Sequence, residues 1–286
     1  MGRKAAWVWA AAWLAAAPLG AMELDGTGTL GSADWMGALT RAYAPLAVQA
    51  PLHYDAQESR HGIARWLDKG ADFLVVTQPL SPADDKRAGT GVMRLPVGLT
   101  AVVITYNLPG VPSGLRLTPR ALAQIFSGEI TRWDNSNLRV MNPGLTLPDL
   151  PIRVLHRDDE NSLFDLFPAW LKDQDGSWPL ADAGPDQRLK WPLGRGVRGD
   201  EGLLRALRET AGSIGAADYV FAAQRGLPAA CLENDLGAYV APTPESLTAA
   251  VGDFAQLPAD FMVSVSRPRD AGAYPLTSFE WVLARS

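Results

Sequence analysis

Two hydrophobic periods alternate along this chain. Trp35, Met36, Leu39 and Tyr43 recur at helical spacing and predict a helix over 33–43. Shorter helical stretches are predicted over 62–67, 117–126 and 201–208, and a longer one over 162–172 with Leu163, Phe164, Phe167, Trp170 and Leu171 on one face. Between them lie short apolar, β-branched runs at 72–77, 100–105, 152–157 and 278–283, which predict strands. The run at 100–105 has no polar alternation, as expected of a strand covered on both faces. Thr118 and Pro119 supply an N-cap and a first helical residue. Turns are expected at Gly26-Thr27-Gly28-Thr29, Asn142-Pro143-Gly144 and Gly212-Ser213-Ile214-Gly215, and loops over 81–90 and 191–199. Strand–helix alternation of this kind implies an α/β protein with helices layered on a sheet.

Composition narrows the function. The chain has 286 residues, 47% hydrophobic and 20% charged, ordinary proportions for a globular protein. A net charge of −5 argues against phosphate-backbone neutralisation, so no nucleic-acid partner is expected. Residues 1–21 read as a secretion signal: Arg3 and Lys4, an apolar run from Ala5 to Ala17, then small residues ending at Ala21. Its removal takes the net charge from −5 to −7. No later stretch is long and apolar enough to span a bilayer. The single cysteine, Cys231, excludes an internal disulfide and is expected as a small buried residue. His53, His61 and His156 lack metal-ligand spacing, and no nucleophile–base cluster is visible. Neither an enzyme, a metal site nor a cofactor is expected, and the alternative of an exported hydrolase finds no residues to support it.

Gly194-Arg195-Gly196-Val197-Arg198-Gly199 fits the GxGxxG dinucleotide pattern. The strand that should lead into it is replaced by Trp191-Pro192, and proline does not suit a central strand.

Another reading absorbs this motif. Asn107-Leu108-Pro109-Gly110, then Leu117-Thr118, then Ile125-Phe126-Ser127-Gly128-Glu129-Ile130-Thr131-Arg132-Trp133 resemble the N-(I/L)-P-G … I-(F/Y)-x-G-x-I-x-x-W segment of the phosphate-binding receptors of bacterial ABC importers. Trp191 to Gly202 is similar to that family's W-P-x-G-x-G-x-x-G-(N/D)-(E/D)-G, with Asp200 expected to cap a helix. The resemblance implies a two-lobed periplasmic-binding-protein fold (type II) with a hinge, lobe one formed by 22–100 plus 259–286 and lobe two by 101–258. It implies a monomeric periplasmic receptor that binds phosphate or another oxyanion between the lobes and serves an ABC permease.

The resemblance also assigns a site. Arg157 and Asp159 match the arginine and aspartate of the family's R-x-D-G-S-G-T, the arginine clamping the anion and the aspartate orienting it. Glu160, Asn161, Ser162 and Leu163 replace G-S-G-T; Asn161 and Ser162 can still donate. In the family's other loops, Leu30 takes a threonine position beside Thr29, Glu58-Ser59-Arg60-His61-Gly62 stands for G-S-S-G-G, and Thr77 replaces an aspartate that accepts a proton from phosphate. The expected ligand residues are therefore Thr29, Ser59, Thr77, Arg157, Asp159, Asn161 and Ser162. Because Leu30, Thr77, Glu160 and Leu163 depart from the pattern, a scaffold with a lost or altered ligand site, acting as an envelope interaction or regulatory module, is the alternative.

Overall fold

The structure is a computed structural model that describes residues 23–46, 51–159, 162–174, 178, 191–252 and 270–285. The predicted signal segment therefore lies outside the described residues, as do Glu160 and Asn161.

In chain order the elements are β1 (Leu24–Thr29), α1 (Ala33–Tyr43), β2 (Leu52–Gln57), α2 (Ser59–Leu67), β3 (Phe73–Val76), α3 (Pro82–Ala88), β4 (Val92–Asn107), β5 (Arg116–Leu117), α4 (Pro119–Ser127), α5 (Ser136–Met141), β6 (Arg153–Arg157), α6 (Ser162–Gln174), β7 (Arg195–Val197), α7 (Asp200–Glu209), β8 (Ser213–Asp218), α8 (Tyr219–Gln224), β9 (Cys231–Glu233), β10 (Tyr239–Val240), α9 (Pro244–Val251) and β11 (Thr277–Arg285). Eight strands form one mixed sheet in the order β2-β1-β3-β11-β4-β8-β6-β7, and β10-β9-β5 form a small second sheet. The fold is α/β and two-lobed.

One strand joins the lobes. The first part of β4, Val92–Ala101, pairs antiparallel with β11, and the second part, Val102–Asn107, pairs antiparallel with β8. On one side of this handover β1, β2 and β3 run parallel, and on the other β6, β7 and β8 do. Because β11 is antiparallel to both β3 and β4, β3 and β4 run the same way, whereas β8 runs against β4. The C-terminal ends of the two parallel triplets therefore point at each other across the middle of β4.

Burial follows this division. The larger cluster packs β4, β6 and β8 against α4, α6 and α7, with Trp133, Phe126, Phe167 and Trp170 fully buried. The other lobe has two thinner layers, one around Trp66, Leu74 and Trp281, the other around Met36, Phe73 and Val75.

Several local expectations change. The glycines at 26–29 lie in strand β1 instead of a turn: a side-chain carbon at Gly26 would sit 1.9 Å from the Phe73 ring, and one at Gly28 would sit 2.1 Å from the Val75 carbonyl oxygen. These glycines serve close strand packing, a use that composition does not distinguish from turning. The expected loop at 81–90 is largely helix α3, capped by Ser81 Oγ accepting from the Asp84 amide at 3.1 Å, with Pro82 in the first turn and Gly89 after the end. Gly212 does turn, but 213–215 open the wholly buried strand β8. The half-buried strand β2 was not predicted. Cys231 is half-buried on β9, less enclosed than expected.

Candidate functional site

The strand ends that face the middle of β4 carry the predicted residues. Thr29 ends β1, Ser59 opens α2 two residues beyond β2, and Thr77 follows β3; all three are buried. The register sets them side by side, since Thr29 pairs with Gln57 and Gly28 with Val75. Gly62 lets α2 lie on β1: a side-chain carbon there would be 2.9 Å from Gly28 Cα. Thr29 Oγ1 accepts from the Gly31 amide at 3.4 Å, and the Thr29 carbonyl accepts from Tyr54 Oη at 2.9 Å. The neighbouring Leu30 is partly exposed.

Arg157 ends β6 on the opposite side and is only 6% exposed. Its Nε and Nη2 donate to Asp159 Oδ1 and Oδ2, each at 2.5 Å, a planar two-point pairing. The Phe164 ring lies under the guanidinium, 5.1 Å from its centroid. Asp159 also accepts weakly from the Gly199 amide, at 3.3 Å to each oxygen, tying the end of β6 to the start of α7. Burial would raise the Asp159 carboxyl, but hydrogen bonding and charge from Arg157, with the Gly199 amide, hold it below its ordinary pKa. Burial likewise disfavours the charged form of Arg157, and the Asp159 and Asp200 carboxylates more than offset it, leaving the guanidinium above its ordinary value.

Asp200 is where the structure departs most from expectation. It does not cap α7; Gly199, at φ 71°, is the N-cap, and Asp200 is the first helical residue. Its carboxylate turns inward instead and is 7% exposed. Asp200 Oδ1 lies 2.7 Å from Arg157 Nη1, yet the pair is not aligned as a hydrogen bond, so both atoms are buried without one. Burial raises the Asp200 pKa, and attraction to Arg157 only partly counters it.

Behind Asp200 lies a further carboxylate that the sequence reading passed over. Asp218 ends β8, pairs in register with Val102 and is almost fully buried. Its Oδ1 accepts from the Val220 and Phe221 amides at 2.8 and 3.2 Å, capping α8, and its Oδ2 accepts from Thr100 Oγ1 at 3.0 Å. Burial and the nearby charge of Asp200 push its pKa up to about 7. A readable signal existed: an acidic residue between an apolar run and a helix start is the N-cap pattern.

The glycine motif gains a role different from a flexible turn. Its residues Arg195–Val197 form the edge strand β7 beside β6. A side-chain carbon at Gly194 (φ 109°) would lie 2.8 Å from the Val154 carbonyl oxygen, and one at Gly196 would lie 2.9 Å from Asp158 Cβ. These glycines let β7 approach the strand that ends in Arg157. Trp191 stacks on His156 with 5.3 Å between ring centroids.

The two sides touch at the rim. Arg198 Nη2, beyond β7, lies 3.3 Å from Glu58 Oε1 at the start of α2. His61 Nδ1 is 3.7 Å from Glu58 Oε2, so this histidine flanks the ion pair. Ser162 opens α6 one turn from Arg157, at the helix start where the resemblance expects anion-binding amides. Asn161 lies outside the described residues. Among the described residues no cluster of three or more histidine, cysteine or acidic side chains is arranged to hold a metal ion.

The pattern of the PBP superfamily domain matches residues 15–286. The phosphate-binding protein PstS of Xylella fastidiosa (strain Temecula1) is 32% identical over 234 residues, which cover 81% of this chain and 64% of that protein's length. PstS3 of Mycobacterium bovis (strain BCG) is 30% identical over 282 residues, covering 93% and 74%. Among solved structures, the periplasmic phosphate-binding protein PfluDING, bound with phosphate, aligns with a TM-score of 0.69 at 21% identity, covering 92% of this chain and 80% of that one. The ABC-type phosphate transport receptor from Vibrio cholerae aligns at 0.61 with 16% identity, covering 92% and 87%. On these matches the chain belongs to the PBP superfamily, as a divergent relative of its phosphate-binding proteins.

Proposed function

We propose that this protein is a solute receptor, without catalytic activity, that binds phosphate or a related oxyanion between its lobes and delivers it to an ABC permease. The observation that carries this reading is the placement of Arg157. A buried guanidinium stands at the C-terminal end of β6, facing the hydroxyl-bearing ends of β1 and β3 and the start of α2. Strand ends in α/β sheets are where ligands are commonly received. Thr29, Ser59 and Thr77 would supply hydroxyls from one side, and Arg157, held by Asp159, would supply charge from the other. Asn161, Ser162 and the amides at the start of α6 would complete the anion's shell.

The lobes are proposed as 22–100 plus 259–286 and 101–258, with the hinge where β4 passes from β11 to β8. Segment 1–21 would direct export to the periplasm, and the receptor would act as a monomer. No helix among the described residues is long and apolar enough to cross a membrane.

Two observations favour the second reading, a scaffold with an altered site that acts as an envelope interaction or regulatory module. Arg157 already has two fork positions on Asp159, and the Glu58–Arg198 pair bridges the rim. Calorimetry on the purified protein with phosphate, sulfate and organic phosphates separates the two. Saturable binding of any one upholds the receptor, and silence from all of them at millimolar concentration leaves only the scaffold.

A further inference from the structure

Charge around Arg157 is unbalanced. Among the described residues one guanidinium is set against two buried carboxylates, Asp159 and Asp200, and a third, Asp218, lies within reach of the Asp200 charge. Asp159 is matched to Arg157 by two hydrogen bonds. Asp200 Oδ1 lies 2.7 Å from Nη1, an ion pair without the two-point alignment of Asp159. Asp218 has no cation on it; its partners are the Thr100 hydroxyl and two amides of α8. Arg157 Nη1, buried 2.7 Å from Asp200 Oδ1, is thus the donor for which an incoming anion competes with Asp200, and Asp200 loses the most when an anion takes it.

Resting on the receptor reading above, we propose that oxyanion binding is coupled to uptake of one proton by the Asp200–Asp218 carboxylate pair, which makes these two residues the specificity determinants that Thr77 no longer provides. The balance is simple. The anion accepts a hydrogen bond from Nη1, the Asp200 carboxylate is left without its counter-charge in a buried setting, and a proton from solvent converts one carboxylate of the pair to a carboxylic acid. A buried, uncompensated carboxylate is costly, and protonation is the usual relief. Without the proton, an anion would add a further negative charge to a cluster already in excess.

The surroundings leave few competitors for that proton. Among the described residues the charges acting on Asp200 are Arg157 on β6 and Asp159 after it, and the charge acting on Asp218 is Asp200; β4 contributes Thr100, and α8 contributes backbone amides. Asp159 is held ionised by Arg157. Burial and the charge of Asp200 already push the Asp218 carboxyl up to about 7, so a further negative charge nearby favours the protonated pair. Asp218 can change state without losing its structural duties. Oδ1 keeps both amides of α8, and Thr100 Oγ1 can accept from a protonated Oδ2 as readily as it donates to an ionised one.

The test is calorimetry with inorganic phosphate at pH 6 and pH 8, each in two buffers of different ionisation enthalpy, on the wild type and on Asp218→Asn. Asparagine keeps the capping oxygen and places an amide where the acid proton would be. Comparing the two proteins at each pH cancels the titration of phosphate itself. Wild-type affinity relative to the variant is expected to fall about tenfold from pH 6 to pH 8, and the wild type takes up more protons at pH 8 than the variant does. Asp200→Asn reads the same coupling through the other carboxylate should Asp218→Asn fail to fold. Binding of phosphate with equal proton counts and a constant affinity ratio overturns the coupling while sparing the receptor. Absence of phosphate binding to the wild type at both pH values overturns the coupling, and silence from sulfate and organic phosphates as well overturns the receptor.

Discussion

The two walls of the cleft are built alike and furnished differently. Each is the C-terminal edge of three parallel strands, and each uses glycines to let a neighbouring element approach the strand that carries the site. One edge ends in neutral hydroxyls, Thr29, Ser59 and Thr77; the other ends in Arg157, Asp159, Asp200 and Asp218. Hydroxyls are neutral and can donate to an ionised oxygen or accept from a protonated one, so they discriminate little by net charge. The opposite wall senses that charge, because buried ionised groups interact strongly with one another. Under the proposed function, recognition of shape and recognition of protonation are divided between the lobes.

Replacing Arg157 should break this contrast most severely. Arg157→Ala leaves Asp159 and Asp200 buried and unpaired, a loss of about 3–5 kcal/mol in denaturant unfolding, with phosphate binding abolished in calorimetry. Arg157→Lys keeps the charge but forfeits the fork, so it should retain more stability than affinity.

The next effect is in pH. Asp218 has a folded-state pKa near 7 against an unfolded value near 4, so the folded protein holds a proton between those limits that the unfolded chain has released. Stability should fall as pH rises from about 4 to about 7, by up to about 4 kcal/mol, and Asp218→Asn should flatten that slope. Asp159, with its lowered pKa, acts in the opposite sense. Its contribution is present above the ordinary carboxylate range and is lost as the pH drops below it. Denaturant midpoints measured from pH 3 to pH 9 separate the two.

On the neutral wall the effects should be smaller. Ser59→Ala or Thr77→Val removes one donor, about 0.5–1.5 kcal/mol, which calorimetry would record as roughly a three- to tenfold weaker affinity without a change in its pH dependence. A pH-dependent loss from either variant would erase the proposed division of labour. Smallest of all is the rim. Arg198 is largely exposed, so Glu58→Gln should cost no more than about 1 kcal/mol and show up as a faster off-rate in stopped flow, more at low salt than at high.

Legibility in the sequence tracked the range of the interactions involved. Thr118 and Pro119 announced α4, and the apolar run at 100–105 announced the central part of β4, because caps and periodicity are local. The whole of β4 was longer than that run, since its first half alternates between partly buried and exposed positions. Gly26 and Gly28 were misread because whether a glycine turns the chain or admits a neighbour depends on Phe73 and Val75, some fifty residues away. Asp200 was misread for a similar reason: next to a glycine and before a helix, an aspartate is an ordinary cap, and only the fold brings Arg157 within reach of it. Arg157 and Asp159 were legible as a pair through the family motif they match, and lying two residues apart they need little from the fold to meet.

What the sequence by itself determined was the α/β alternation, the caps and turns carried by short-range patterns, and the family motifs around 101–133 and 191–202. Tertiary structure alone decided that two sets of strand ends face one another across β4. It also decided that Asp200, at the start of a helix, turns its carboxylate onto Arg157, and that Asp218, at the end of a strand, is buried within reach of the Asp200 charge. The physical reason is that hydrogen-bonded local structure depends on neighbours in the chain, whereas the cost of a buried charge depends on every group the fold packs around it.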